Sequence, residues 1–252
     1  MVLNKLILLS FVLLLPMLGS AQFYSEGQIT YQRTYNLKLA LQLEEQYKWI
    51  RRYAKDLPDN VSASYTLDFN AQKTYYGFEK DSSAEEIGRL INFLPIKRVA
   101  YNNQVWSDLT HHTRKALKQV YEEHFLVADS MVNYQWKIED DIRSIAGFSC
   151  RKAVTTMDDS VVVVAFYTDQ IMVSGGPESF HGLPGMILGL AIPRLYTTWF
   201  ATKVTMTTPE FAPITLPKKT DEVTKKEYLT RLNKATNSWR GNIAYLFWLA
   251  TL

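Results

Sequence analysis

Four histidines, one cysteine and a serine set before two glycines are the residues whose types invite a chemical reading. His111 and His112 are neighbours, and on a helix neighbouring side chains point about 100° apart, so the two cannot face one ion together. No H-E-x-x-H is present, and His124 further along adds no ligand spacing. The expectation is no metal site and no cofactor. Ser174 precedes Gly175-Gly176 with Asp169 and His181 close in sequence, but no G-x-S-x-G elbow frames it. A turn serine bonded to its own backbone is the plainer role. Cys150 has cationic neighbours that would lower a thiol pKa, yet strand parity sets it beside Phe148 and Val154 on a face that reads as core. With one cysteine, no disulfide can form within the chain. Lys152 shares that parity. It either snorkels at a sheet edge or points into a cavity, where it would meet an anionic ligand group.

The stretch Ser174 to Leu190, SGGPESFHGLPGMILGL, must be positioned by two Gly/Pro turns. Leu183-Pro184-Gly185-Met186 is predicted to form a type II turn, Pro184 fixing the second φ and Gly185 supplying a positive third, so that Gly185→Asn should cost less than Gly185→Ala. Met186-Ile187-Leu188 is short enough for a covered strand. Two uses of the segment stay open. Its glycines and prolines can pin a corner while Phe180 and Leu183 plug the end of a sheet, or it can display Phe180, His181 and Leu183 to a ligand or partner.

Period-two alternation predicts strands at Ile29-Tyr31-Arg33-Tyr35, at Tyr65-Leu67-Phe69 and at Tyr134-Trp136-Ile138. Val161 to Phe166 is apolar on both parities, as in a strand covered on both sides. Apolar stripes at helical spacing predict helices from Leu39 to Ala54 and from Asp108 to Tyr121, and a third beginning at Thr220 as its N-cap. Helices interrupt the strands without regular alternation. The fold class expected is α+β, a mostly antiparallel sheet covered by helices. Thr207 to Lys219, with three prolines, reads as an exposed connector, and the apolar Gly241 to Leu252 is too short to span a bilayer.

Lys5, the apolar run Leu6 to Leu18 and then Gly19-Ser20-Ala21 have the anatomy of a secretory signal peptide over residues 1–21, with one secreted domain from 22 to 252. Without the signal, 27 Lys plus Arg (28 − 1) face 25 Asp plus Glu. That near-neutral balance, with no basic stripe, argues against nucleic acid as a partner. No cysteine follows the signal to accept a lipid, and no later segment spans a membrane.

Gly147-Phe148-Ser149-Cys150-Arg151-Lys152-Ala153, then Phe166-Tyr167-Thr168, then the Ser174 to Leu190 segment stand in an order that resembles the GLPGLI family of secreted Bacteroidetes proteins. Met186 replaces the second leucine of the family string, and Phe166, Met172, Asp159-Ser160 and Gly189 also depart from its usual pattern. The family has no established activity. The resemblance implies a periplasmic or secreted location and, by analogy with the carrier LolA, a curved half-barrel sheet. The function expected is a binding or carrier module for a small apolar or anionic ligand. The alternatives are an interaction module for an outer-membrane receptor of the TonB-dependent type, or an unrecognised hydrolase. Lys152, Tyr167, Ser174, Phe180, His181 and Leu183 are the candidate ligand or partner residues.

Overall fold

The computed structural model describes residues 23–44, 47–48, 50–81, 94–157, 160–211, 213–236 and 243–252. The signal segment expected over residues 1–21 lies outside them. One open sheet of twelve strands carries the architecture, in the order β12-β6-β5-β4-β3-β2-β1-β11-β10-β9-β8-β7. The chain starts at the middle of that sheet with β1 (Gly27–Asn36). It meanders outward through β2 (Asn60–Phe69), β3 (Lys73–Asp81), β4 (Gln104–Asp108), β5 (Thr113–Val120) and β6 (Glu123–Ser130). It then crosses to the far edge and returns through β7 (Lys137–Ile145), β8 (Phe148–Met157), β9 (Val161–Thr168), β10 (Met186–Ile192) and β11 (Thr197–Thr205) to close against β1. Last comes β12 (Thr220–Thr224), which adds to β6 in parallel, unlike the other strand pairs among the described residues. Short connections join β2 to β3, β4 to β5, β5 to β6, β7 to β8 and β8 to β9 as antiparallel hairpins.

Registers define the two faces. Ile29, Leu67, Tyr76, Val105, Ala116, Val127 and Val223 are partners across seven strands, and Arg33, Trp199, Leu190, Ala165 and Ala153 continue the same inner face on the other side of β1. Helices lie over this face: α1 (Leu37–Leu43), the single turn α2 (Pro95–Arg98), α3 (Lys225–Thr236) and α4 (Ile243–Thr251). The Asn36 side chain caps α1 by accepting the Leu39 N–H. Thr224 and Glu227 cap α3 reciprocally, the hydroxyl accepting from the Glu227 N–H and the carboxylate accepting from the Thr224 N–H. Helix α4 buries Tyr245, Leu249 and Ala250, and the Tyr245 hydroxyl donates to that of Tyr35 on β1. The apolar C-terminal run thus forms part of the core.

Several expected elements differ. The stretch 108–121 is a hairpin, not a helix: the Asp108 carboxylate accepts the N–H groups of Thr110 and His111, and the chain returns as β5. Its inner face reads Arg114-Ala116-Lys118-Val120, and two cations on a buried face hide the period of two. Thr220 opens β12, and the helix starts at Lys225. The stripe from Leu39 breaks into α1 and a 3-10 turn over Arg51–Asp56. Tyr134 and Trp136 precede β7 instead of lying within it. Val162 on β9 is 45% exposed, so that strand is covered on both faces only from Ala165 onward.

Candidate functional site

The inner face holds charge where a core would hold hydrocarbon. Arg33 on β1 is buried; its guanidinium donates to the Ala100 carbonyl at 2.7 Å, stacks over the Trp199 ring at 5.1 Å, and lies 3.8 Å from the Glu178 carboxylate. Glu178 is itself buried and accepts from Asn103 at 3.0 Å. Arg33 Nε and Nη2, Asn103 Oδ1 and Glu178 Oε1 have no hydrogen-bond partner. Buried polar atoms left without a hydrogen bond are rare and costly. On β5, Arg114 and Lys118 are buried on the same face. Burial, then the Arg114 charge, pulls the Lys118 ammonium down to a pKa of about 7.

The Ser174 to Leu190 segment meets this system through Glu178 and Ser179. Glu178 takes a positive φ of 56° and turns its carboxylate inward. Ser179 accepts from the Arg114 guanidinium. Phe180 is buried and stacks on Tyr134 at 5.1 Å. His181 packs edge-on to Tyr134 at 5.8 Å, its Nδ1 lies 2.8 Å from the Ser179 carbonyl, and its own carbonyl accepts from Trp136 Nε1. Burial lowers the His181 pKa. At Gly185 φ is +146°, and its N–H bonds the Leu183 carbonyl two residues back, so the turn is tighter than the type II expected.

Two clefts flank the linker 131–136. The first, of about 560 Å³, is lined by His112, Met131, Tyr134, Met172, Ser174 and His181, with no carboxylate, lysine or arginine among its described lining residues. The second, of about 490 Å³, opens between α3, α4 and the sheet; Arg114 and Lys225 stand in it against Tyr134, Met157, Leu229 and Phe247, again with no carboxylate among its described lining residues.

The candidate residues scatter against this geometry. Ser174 and His181 share the first cleft, but Ser174 Oγ accepts the Gly182 N–H, and His181 Nδ1 meets a backbone carbonyl where a triad would place a carboxylate. Phe180 and Leu183 are each 2% exposed and plug the inner face instead of being displayed. Tyr167 is buried in β9. Lys152 has the opposite parity to Ala153 and so lies on the outer face, its ammonium 2.9 Å from Glu139 and 3.3 Å from Asp141. Those acids sit where the β7 register shifts, between Ile138 and Ile142. Cys150, of the same parity as Lys152 and opposite Arg143 of β7, is buried, and burial raises its thiol to about 12. Sequence reasoning missed Glu178, Arg114 and Lys118. Glu178 lies within the segment read for its Gly/Pro turns, and Arg114 and Lys118 fall in the stretch expected to be a helix.

No helix among the described residues is long and apolar enough to cross a membrane. No curated protein matches the sequence. By fold, the chain is similar to PNGF-II in its P21 crystal form at a TM-score of 0.51 and 15% identity, over 84% of this chain and 34% of that one, and to the C2 form at 0.46 and 15%. It also matches an uncharacterised conserved protein from Thermus thermophilus at 0.36 and 10%, over 80% and 91% of the two chains. The chain therefore spans about a third of the PNGF-II chain it resembles. Residues 155–189, from the end of β8 into β10 and so including most of the Ser174 to Leu190 segment, match a family described as "Protein of unknown function (Porph_ging)".

Proposed function

We propose that this chain is a secreted, GLPGLI-type periplasmic binding or carrier protein whose ligand is an amphipathic anion. The observation that carries the reading is the second cleft, where Arg114 and Lys225 stand beside Leu229, Phe247 and Met157 without a carboxylate to neutralise them among the described lining residues. A hydrocarbon chain would bury against the helix side chains, at about 25 cal/mol per Å² of apolar surface removed from water. A carboxylate or phosphate head would meet the two cations. Lys118 behind Arg114 adds a further cation to the inner face, where Glu178 and Asp129, the cross-strand partner of Arg114, are the acids that oppose it among the described residues.

The test is saturable binding of cis-parinarate, a fluorescent fatty acid anion, by the purified chain. The double variant Arg114→Gln/Lys225→Gln should weaken it on the order of tenfold or more, as loss of two charge-assisted bonds requires. Absence of saturable binding in the wild-type chain rejects the reading. Secretion is checked separately, by N-terminal sequencing of protein from the periplasm of its host: a chain beginning at Gln22 is expected, and one retaining Met1 contradicts it.

A further inference from the structure

The first cleft carries a donor set of a different kind. Just beyond the last β5–β6 pair, Thr113 with Ser130, the Met131 N–H bonds the His112 carbonyl at 2.8 Å, which holds His112, in a left-handed turn conformation at φ +53°, next to Met131. His181 is fixed from the other wall. Its ring packs on Tyr134, its carbonyl is held by Trp136, and Nδ1 faces the Ser179 carbonyl at 2.8 Å, which directs Nε2 as the imidazole's free lone pair. A histidine whose second nitrogen is tied to a backbone carbonyl has the orientation that metal-ligating histidines take. Met172 lies two residues before Ser174 on an irregular segment whose Ser174 Oγ is tied to the Gly182 N–H, beside His181. Its thioether side chain is 62% exposed, with no core to fill.

All four side chains line one cleft of about 560 Å³. The donors are neutral: two imidazoles and two thioethers, without thiolate or carboxylate among the described lining residues. Zinc favours thiolate, imidazole and carboxylate, and calcium and magnesium require oxygen. Thioether with imidazole suits a soft, monovalent ion. A neutral set also avoids the excess negative charge that would favour a divalent one. We propose that His112, Met131, Met172 and His181 form a binding site for Cu(I). Linear spacing conceals it, because the ligands come from separated segments and two of them are methionines.

The experiment is competition for Cu(I) between the purified chain, without a polyhistidine tag, and bicinchoninate under ascorbate. The wild-type chain should withdraw one equivalent. Met131→Leu/Met172→Leu keeps apolar bulk and removes both sulfurs; it should lower Cu(I) affinity on the order of 100-fold while the circular dichroism spectrum stays unchanged. Met172→Leu alone, at an exposed position, should fold as the wild type does and still weaken the ion, so a folding defect in the double variant leaves the test intact. His181→Gln should weaken it as well. Failure of the wild-type chain to compete, equal affinity in the methionine variants, or preference for Zn(II) over Cu(I) would each overturn the assignment.

Discussion

Lys118 shows how one residue can set the pH response of the molecule. Burial lowers its folded pKa to about 7 from 10.5, so between those values the unfolded chain binds the proton that the folded chain has released. Stability must therefore rise with pH across that window, and the cost of the buried ammonium is fully present below it. Urea midpoints taken from about pH 7 to about pH 9 should increase for the wild-type chain and stay flat for Lys118→Met, which should be the more stable of the two at the acidic end. Cys150, raised to about 12 from 9.0, acts with the opposite sign only above that range, when the unfolded thiol ionises. Equal slopes for the two proteins would show that Lys118 is solvated. Gly185 makes a second case. An added Cβ would lie 2.0 Å from the Thr168 carbonyl oxygen, which is backbone and cannot yield. Gly185→Ala should cost roughly 3 kcal/mol or more, and Gly185→Asn no less, since the clash precedes any preference of asparagine for positive φ. Gly147, at φ +87° with nothing within 4 Å of its Cβ position, should lose only about 1 kcal/mol as Ala in thermal unfolding.

At the scale of elements, legibility followed how cleanly each strand separated its faces. β1 and β2 alternate tyrosine, isoleucine and leucine with threonine, glutamine and serine, and both could be read directly, Arg33 included, as members of the inner face. β5 could not, because its buried parity carries Arg114 and Lys118, and no local pattern distinguishes a buried cation from a wet one. The site shared that fate: Ser174 and His181 were found through their turn, while Glu178 needed the three-dimensional closure of that turn onto Asn103 and Arg33. Lys152 failed for a related reason. The parity that read as core is the outer face, where its ammonium meets Glu139 and Asp141 of β7. Helix α4 was recognised as apolar, and its weight can now be measured. Leu249 is fully buried between the helices and the sheet, so Leu249→Ala should cost about 2–5 kcal/mol in denaturant unfolding, the range for a buried leucine that leaves a cavity. Trp248, partly buried under Arg194, should cost less as Ala. The reverse ranking would mean that α4 packs in another register.

Across the whole molecule, an open twelve-stranded sheet leaves two edges and one large inner face, and each is treated differently. The β7 edge carries Glu139, Asp140 and Asp141, charges that discourage pairing with another strand, and the β12 edge is a short strand followed at once by α3. The inner face is filled at its centre by tyrosines and Trp199 and is left polar where β5 meets the helices. There Arg33, Arg114 and Lys118 face Glu178 and Asp129, the cross-strand partner of Arg114, an excess of cations whose self-repulsion the folded chain must bear. An anion seated against Arg114 and Lys225 would relieve it, which couples binding to stability. Palmitate at 100 times its Kd should raise stability by about 2.7 kcal/mol, or about 5–10 °C in Tm for a chain of this size. Its neutral analogue, the corresponding alcohol, should raise it far less, because it buries the same hydrocarbon without discharging the cations. Arg114→Gln/Lys225→Gln should begin with an equal or higher Tm and gain little from either compound. If the alcohol and the acid stabilise the wild-type chain equally, the cleft reads hydrocarbon alone; if the double variant keeps the full shift, the anion binds elsewhere, and in both cases the charge imbalance does not select the ligand.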